Sequence, residues 1–91
     1  MSNIKVTQAQ IDKLIETAEI RCYTEFDKCT VVIVKLKNGF ILTESSACVD
    51  PTNYNQAMGR EYCLERIKNR LWELEGYALQ DAIYKVAEGR K

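Results

Sequence analysis

The sequence contains no histidine, and that absence removes Cys–His and Ser–His nucleophile pairs together with every zinc site that relies on imidazole. Its four cysteines, Cys22, Cys29, Cys48 and Cys63, include no Cys-x-x-Cys pair. Their wide spacing, with two of them on predicted strands, argues against a four-thiolate zinc site and against a disulfide scaffold; they read as small core thiols in a reducing compartment. Net charge is missing too. Thirteen Lys and Arg balance thirteen Asp and Glu, so no global field draws the chain to nucleic acid or to an anionic membrane, and a nucleic-acid role would need a local patch. No stretch approaches the roughly 18 apolar residues of a membrane span, and Met1 to Val6 lack the apolar run of a secretory leader, so a cytoplasmic protein is expected. The glycines and lysine of a P-loop are absent, as are internal repeats, low-complexity tracts and linkers. No metal and no cofactor is expected.

What remains is an ordinary globular composition, 46% apolar and 29% charged over 91 residues. One domain spanning residues 1–91 is expected, with 1–6 and 88–91 as flexible ends. A chain of this size buries only a little over ~60% of its unfolded surface, so its core is modest and partners would help it. Thr7 followed by Gln10 is a capping-box pattern, and Ile11, Leu14, Ile15 and Ala18 recur at helical spacing, which predicts a short helix from Thr7 to Ala18. From Glu19 to Phe26 the pattern alternates. Ile20, Cys22, Thr24 and Phe26 fall on one side and Arg21, Tyr23 and Glu25 on the other, as in a strand turning at Asp27-Lys28.

Cys29 to Lys37 is rich in β-branched residues, and Asn38-Gly39 is a strong hairpin signal because both positions of a type I′ turn need positive φ. A two-residue loop would pair Lys37 with Phe40, Leu36 with Ile41, Lys35 with Leu42 and Val34 with Thr43. That register sorts Val32, Val34, Leu36 and Ile41 onto an inward face. Val31, Ile33, Phe40 and Leu42 fall on the opposite face beside Lys35 and Lys37, too apolar for plain solvent and a candidate subunit contact. Glu44 to Val49 reads as a polar connection, and Asp50-Pro51 as the start of the next helix. From about Thr52 the chain reads as helix almost to its end. Met58, Leu64, Ile67, Leu71, Leu74 and Ala78 form one stripe, and Trp72, Leu79, Ile83 and Val86 a neighbouring one. Some 30 helical residues span about 45 Å, more than so small a sheet can cover; either the helix breaks near Gly76 or its far end packs on another chain. Gly59 could be a close-packing point. The architecture expected is α+β: a short N-terminal helix, an antiparallel meander of two to three strands, and a long C-terminal helix, bent or straight, packed on one face.

The segment Glu44 to Pro51 concentrates small polar residues ahead of the predicted helix, where free N–H groups and the helix dipole favour an anion. Ser46 and Asp50, with Tyr54 and Arg60 one to two turns on, are therefore the candidate nucleotide or anion site. Ser46 and Asp50 also make sense as turn and cap residues serving their own backbone. Arg60, Arg66, Lys68 and Arg70 are interleaved with Glu61, Glu65, Glu73 and Glu75, the usual form of a solvated helix face. Glu73 and Glu75 point to different sides of a helix, so no acid and base pair is indicated and no catalytic residue is assigned. Trp72 reads as a core or interface anchor.

Leu36-Lys37-Asn38-Gly39-Phe40, then Ser46-Ala47-Cys48-Val49-Asp50-Pro51 with Asn53-Tyr54, then Gly59-Arg60 and Leu71-Trp72-Glu73-Leu74-Glu75-Gly76-Tyr77 follow one another in the order of a known family. From about Ile11 to Leu79 the chain resembles the small tailed-phage proteins typified by gene product 49 of a coliphage and gene product 66 of a Shigella phage. Where that pattern has Gly then Glu, this chain has Glu44 then Ser45. The resemblance implies a phage or prophage origin and work inside an infected bacterium, and it carries over no catalytic or binding residue. The leading expectation is a non-enzymatic accessory protein, a homo-oligomer that binds a host bacterial protein. The alternatives are a sponge for a nucleotide signal of bacterial defence and, more weakly, DNA binding through Arg60, Arg66 and Arg70.

Overall fold

The computed structural model describes residues 4–89, so of the flexible ends expected at 1–6 and 88–91, residues 1–3 and 90–91 lie outside the described residues. Helix α1 (Gln8–Glu16) precedes strands β1 (Glu19–Glu25), β2 (Cys29–Lys35) and β3 (Ile41–Ala47). A single 3-10 turn, Pro51–Asn53, then leads into α2 (Gln56–Gly89). The strands form an antiparallel sheet in sequence order, the α+β architecture expected, with α2 lying mainly across β2 and β3. No helix among the described residues is long and apolar enough to cross a membrane.

Helix α1 starts where its capping box places it: Thr7 Oγ1 accepts from Gln10 N (3.2 Å) and Gln10 Oε1 accepts from Thr7 N (2.9 Å), satisfying two otherwise orphan N–H groups. It buries Ile11 against the core and packs Leu14 and Ile15 beside it. Strand β1 ends one residue earlier than the alternation predicts. Phe26 and Asp27 both have left-handed backbone (φ 54° and 57°), Lys28 N donates to Glu25 O (3.2 Å), and the Phe26 side chain is 85% exposed. The loop is thus Phe26-Asp27-Lys28, the expected Asp27-Lys28 turn lengthened by one residue, and Phe26 leaves the inward row.

The second hairpin corrects the expected register. Gly39 takes φ 96°, Gly39 N donates to Leu36 O and Leu36 N to Phe40 O (2.8 Å each), and Asn38 Oδ1 accepts from Phe40 N (3.0 Å). The loop is therefore Lys37-Asn38-Gly39, three residues closed by a glycine, and not a two-residue Asn-Gly turn. Val34 faces Leu42 and Lys35 faces Ile41, one residue out of the expected pairing, and a one-residue slip exchanges the faces. Leu42, expected on the outer face as a subunit contact, is 1% exposed in the core, while Ile41 is 56% exposed. The shift is favoured because it sets Leu42 beside Val32, Val34 and Leu36 in one buried cluster. Strand β3 also continues through the stretch expected as a polar connection: Cys29 pairs with Ala47, so the full length of β2 has a partner.

Ile11, Val32, Val34, Leu36, Leu42, Cys63, Ile67 and Leu71 make the core. In α2 the buried residues are Gly59, Cys63, Ile67 and Leu71, a seam of i, i+4 steps; of the predicted stripe Ile67 and Leu71 are buried and Leu64 packs on the core, while Met58 and Leu74 are exposed. Gly59 is a close-packing point, since a Cβ there would run into Thr30 Oγ1 and lie 2.8 Å from Thr30 Cβ. The helix begins at Gln56, later than expected, with Asn55 Oδ1 accepting from Met58 N (3.2 Å). It runs unbroken for 34 residues through Gly76, and none of its residues after Leu71 is buried. The molecule is accordingly elongated, 61 × 26 × 21 Å.

Candidate functional site

Two of the four residues of the expected anion site come together. Ser46 and Tyr54 line a cavity of about 150 Å³ between the end of β3 and the start of α2, with Asn53, Asn55 and Tyr62 as its other polar or aromatic walls. Tyr54 is positioned by its own hydroxyl, which is hydrogen-bonded to Thr30 Oγ1 (2.7 Å) and Thr24 Oγ1 (2.8 Å), while Gln56 Nε2 donates to Thr24 Oγ1 (3.0 Å). This network ties the α2 entrance to β1 and β2 and leaves the Tyr54 ring, rather than its hydroxyl, as the wall. The cavity is smaller than the ~300 Å³ at which small-molecule pockets usually begin.

Asp50 and Arg60 do not line it. Asp50 lies on the surface and accepts from Thr52 N through Oδ1 (3.0 Å); that backbone bond holds its carboxyl below the usual carboxylate value. Asp50 caps the 3-10 turn, and the N–H groups of α2 begin six residues further on, where the Asn55 side chain accepts from Met58 N. The 3-10 turn thus stands between Asp50 and the α2 N-terminus. Ser46 belongs to β3. Cys63 is buried beneath the sheet, and burial pushes its thiol up, which leaves it a core residue rather than a nucleophile.

The expected interface residues separate. Val31 and Ile33 lie half-buried on the outer sheet face, with Tyr23 opposite Val31 and Arg21 opposite Ile33. Phe40 is exposed at the hairpin end, on the rim of an apolar groove of about 200 Å³ formed with Leu14, Leu36, Leu71 and Leu74. Trp72 sits partly exposed on α2, where the helix leaves the sheet. Leu42 is internal, as described.

Sequence reasoning missed the role of Arg66 and Arg70. Arg66 Nη1 donates to Ser45 O (2.8 Å), and Arg70 Nη1 donates to Thr43 O (3.2 Å) and pairs with Glu44 Oε2 (3.3 Å). The spacing carried the signal: four helical residues rise about 6 Å and two strand residues about 6.6 Å, so cations at i and i+4 on a helix meet alternate carbonyls of a strand beside it. These two guanidinium groups are thereby engaged with the protein's own sheet rather than presented together for phosphates. Glu44, at the place where the resemblance has a different residue, is the ionic partner of Arg70.

The fold and these surfaces define a small α+β protein with a three-stranded sheet sealed by arginines along its β3 edge and an over-long helix. It belongs to the phage protein (N4 Gp49/phage Sf6 gene 66) family, whose model matches residues 6–83. No curated protein and no solved structure matches the chain.

Proposed function

We propose that this phage protein is a non-enzymatic binding protein that works as a homo-oligomer in the bacterial cytoplasm and engages a host protein. The observation that carries this reading is the far half of α2. Residues 72–89 extend about 27 Å past the last buried residue, Leu71, and bear Leu74, Tyr77 and Tyr84 in the open, Tyr77 at 71% and Tyr84 at 60% exposure. Tyr77 and Tyr84 are one heptad apart, so they share a face. The helix costs conformational entropy to order and gains little burial within the chain, which is the balance expected of a segment stabilised by a partner. Exposed tyrosines suit such a contact because they supply large area with few rotamers to freeze. The neighbouring face is partly occupied: Ile4 meets Ala82, Ile83 and Val86 around an apolar cavity of about 340 Å³.

The test is capture from host lysate by wild type and by a Tyr77→Glu/Tyr84→Glu variant, with circular dichroism on both. Specific capture lost in the variant, at unchanged helicity, supports the reading; equal capture by both proteins, or none by either, counts against it.

A second reading, sequestration of a nucleotide signal, is favoured by the meeting of Tyr54 and Tyr62 with Ser46, Asn53 and Asn55, aromatic and amide groups suited to a nucleobase. A thermal-shift screen with cyclic nucleotides and ADP-ribose derivatives tests it. A ligand at 100 times its dissociation constant adds about 2.7 kcal/mol, so no shift at millimolar ligand removes this reading.

A further inference from the structure

The two edges of the sheet are not alike. Leu36 N donates to Phe40 O, and Cys48 N donates to Lys28 O, so the even-numbered residues of β2 direct their backbone groups toward β3 and the odd-numbered ones toward β1. Thr43 and Ser45 then present their carbonyls at the free edge of β3, where Arg70 and Arg66 take them. By the same alternation Ile20, Cys22 and Thr24 turn their N–H and C=O groups out from the free edge of β1. Among the described residues those groups have no hydrogen-bond partner, and β1 (Glu-Ile-Arg-Cys-Tyr-Thr-Glu) has no proline, lysine or bulge to blunt it.

We infer that the open edge of β1 pairs with β1 of a second copy, antiparallel about a twofold axis at Tyr23, making one six-stranded sheet. This rests on the homo-oligomer proposed above and specifies its interface. A twofold pairing keeps outer faces together, so the axis must fall at a residue, and the charges choose which. An axis at Cys22 sets Glu19 against Glu25 twice, and one at Arg21 sets Arg21 against itself; like charges directly opposite are unfavourable. Axes at Ile20 or Thr24 pair only three residues. The axis at Tyr23 sets Arg21 opposite Glu25 on both sides, lays Tyr23 against Tyr23, and lets Cys22 and Thr24 of the two copies exchange their outward backbone bonds.

Light scattering and dissociation constants for wild type, Arg21→Glu, Glu25→Arg and the double exchange test the pairing. All of these side chains lie on the outer face, so helicity and thermal midpoint should hold. Each single exchange should weaken dimerisation roughly tenfold or more, and the double exchange should restore it. Tyr23→Cys should form a reducible covalent dimer on mild oxidation where Lys35→Cys, on the same face but remote from the axis, does not. A self-associating wild type that is indifferent to the exchanges, or a double exchange that fails to restore association, overturns the edge pairing and leaves the homo-oligomer standing. A monomeric wild type overturns both.

Discussion

Gly59 is where α2 comes closest to the sheet, and Gly59→Ala is the sharpest probe of that packing. An alanine would ordinarily stabilise a helix interior by about 1 kcal/mol. Here its methyl would run into Thr30 Oγ1 and lie 2.8 Å from Thr30 Cβ. Thr30 Cβ is fixed to the β2 backbone and cannot rotate aside, and Thr30 is fully buried, so α2 must lift from the strand. Overpacking of this kind costs about 1–3 kcal/mol. Because the obstructing atom is backbone-anchored, the upper part of that range applies, for a net loss of about 2 kcal/mol after the helix gain. At about 4–8 °C per kcal/mol for a domain of this size, the thermal midpoint should fall by about 10 °C in a calorimetric or circular-dichroism melt. Thr30→Ala removes the hydroxyl that the new methyl meets, at the expense of the Tyr54 bond, so the double variant should lose less than the sum of the single ones, with a coupling of about 1 kcal/mol. A Gly59→Ala protein that melts at or above wild type would show that α2 has room for a methyl against Thr30.

The hairpin register predicts opposite outcomes for adjacent residues: Leu42→Ala should cost about 2–5 kcal/mol and Ile41→Ala no more than about 0.5 kcal/mol in urea titrations, and equal losses would contradict the three-residue loop. Replacing Arg66 and Arg70 together by Ala should uncover the β3 edge, giving concentration-dependent aggregation by light scattering with little change in secondary structure; a variant as soluble as wild type would remove the edge-sealing role. Asp50 has a folded-state value below its ordinary 3.8, so its contribution is present above that value and is lost as pH falls through the lowered one. Asp50→Asn should therefore flatten the acid limb of the stability profile below about pH 4, and an unchanged limb would show that the Thr52 bond contributes nothing.

Much of the fold was legible because local signals agreed with it. Thr7 and Gln10 marked the α1 start, the β-branched run gave β2, and the absence of a breaker other than glycine gave a long α2. The failures share a cause, which is that tertiary packing chose among locally acceptable options. Asn38-Gly39 suits both a two-residue and a three-residue loop, and only the gain from burying Leu42 decides between them. Asp50-Pro51 is a sound cap signal, yet it serves a single 3-10 turn because Tyr54 must first reach Thr24 and Thr30 before α2 can begin at Gln56. The candidate site was half legible for the same reason: Ser46 and Tyr54 converge through that detour, while Asp50 and Arg60 are carried away by it. Phe26 in the left-handed region had no local warning at all, since its position in the alternation fitted a strand.

Self-association of the protein is read from its mass in solution, measured by light scattering from micromolar to millimolar concentration. Self-association through β1 predicts an even multiple of the 10.5 kDa chain, with the change to the single chain moving to at least roughly tenfold higher concentration in Arg21→Glu. A mass of 10.5 kDa for wild type at every concentration would contradict it.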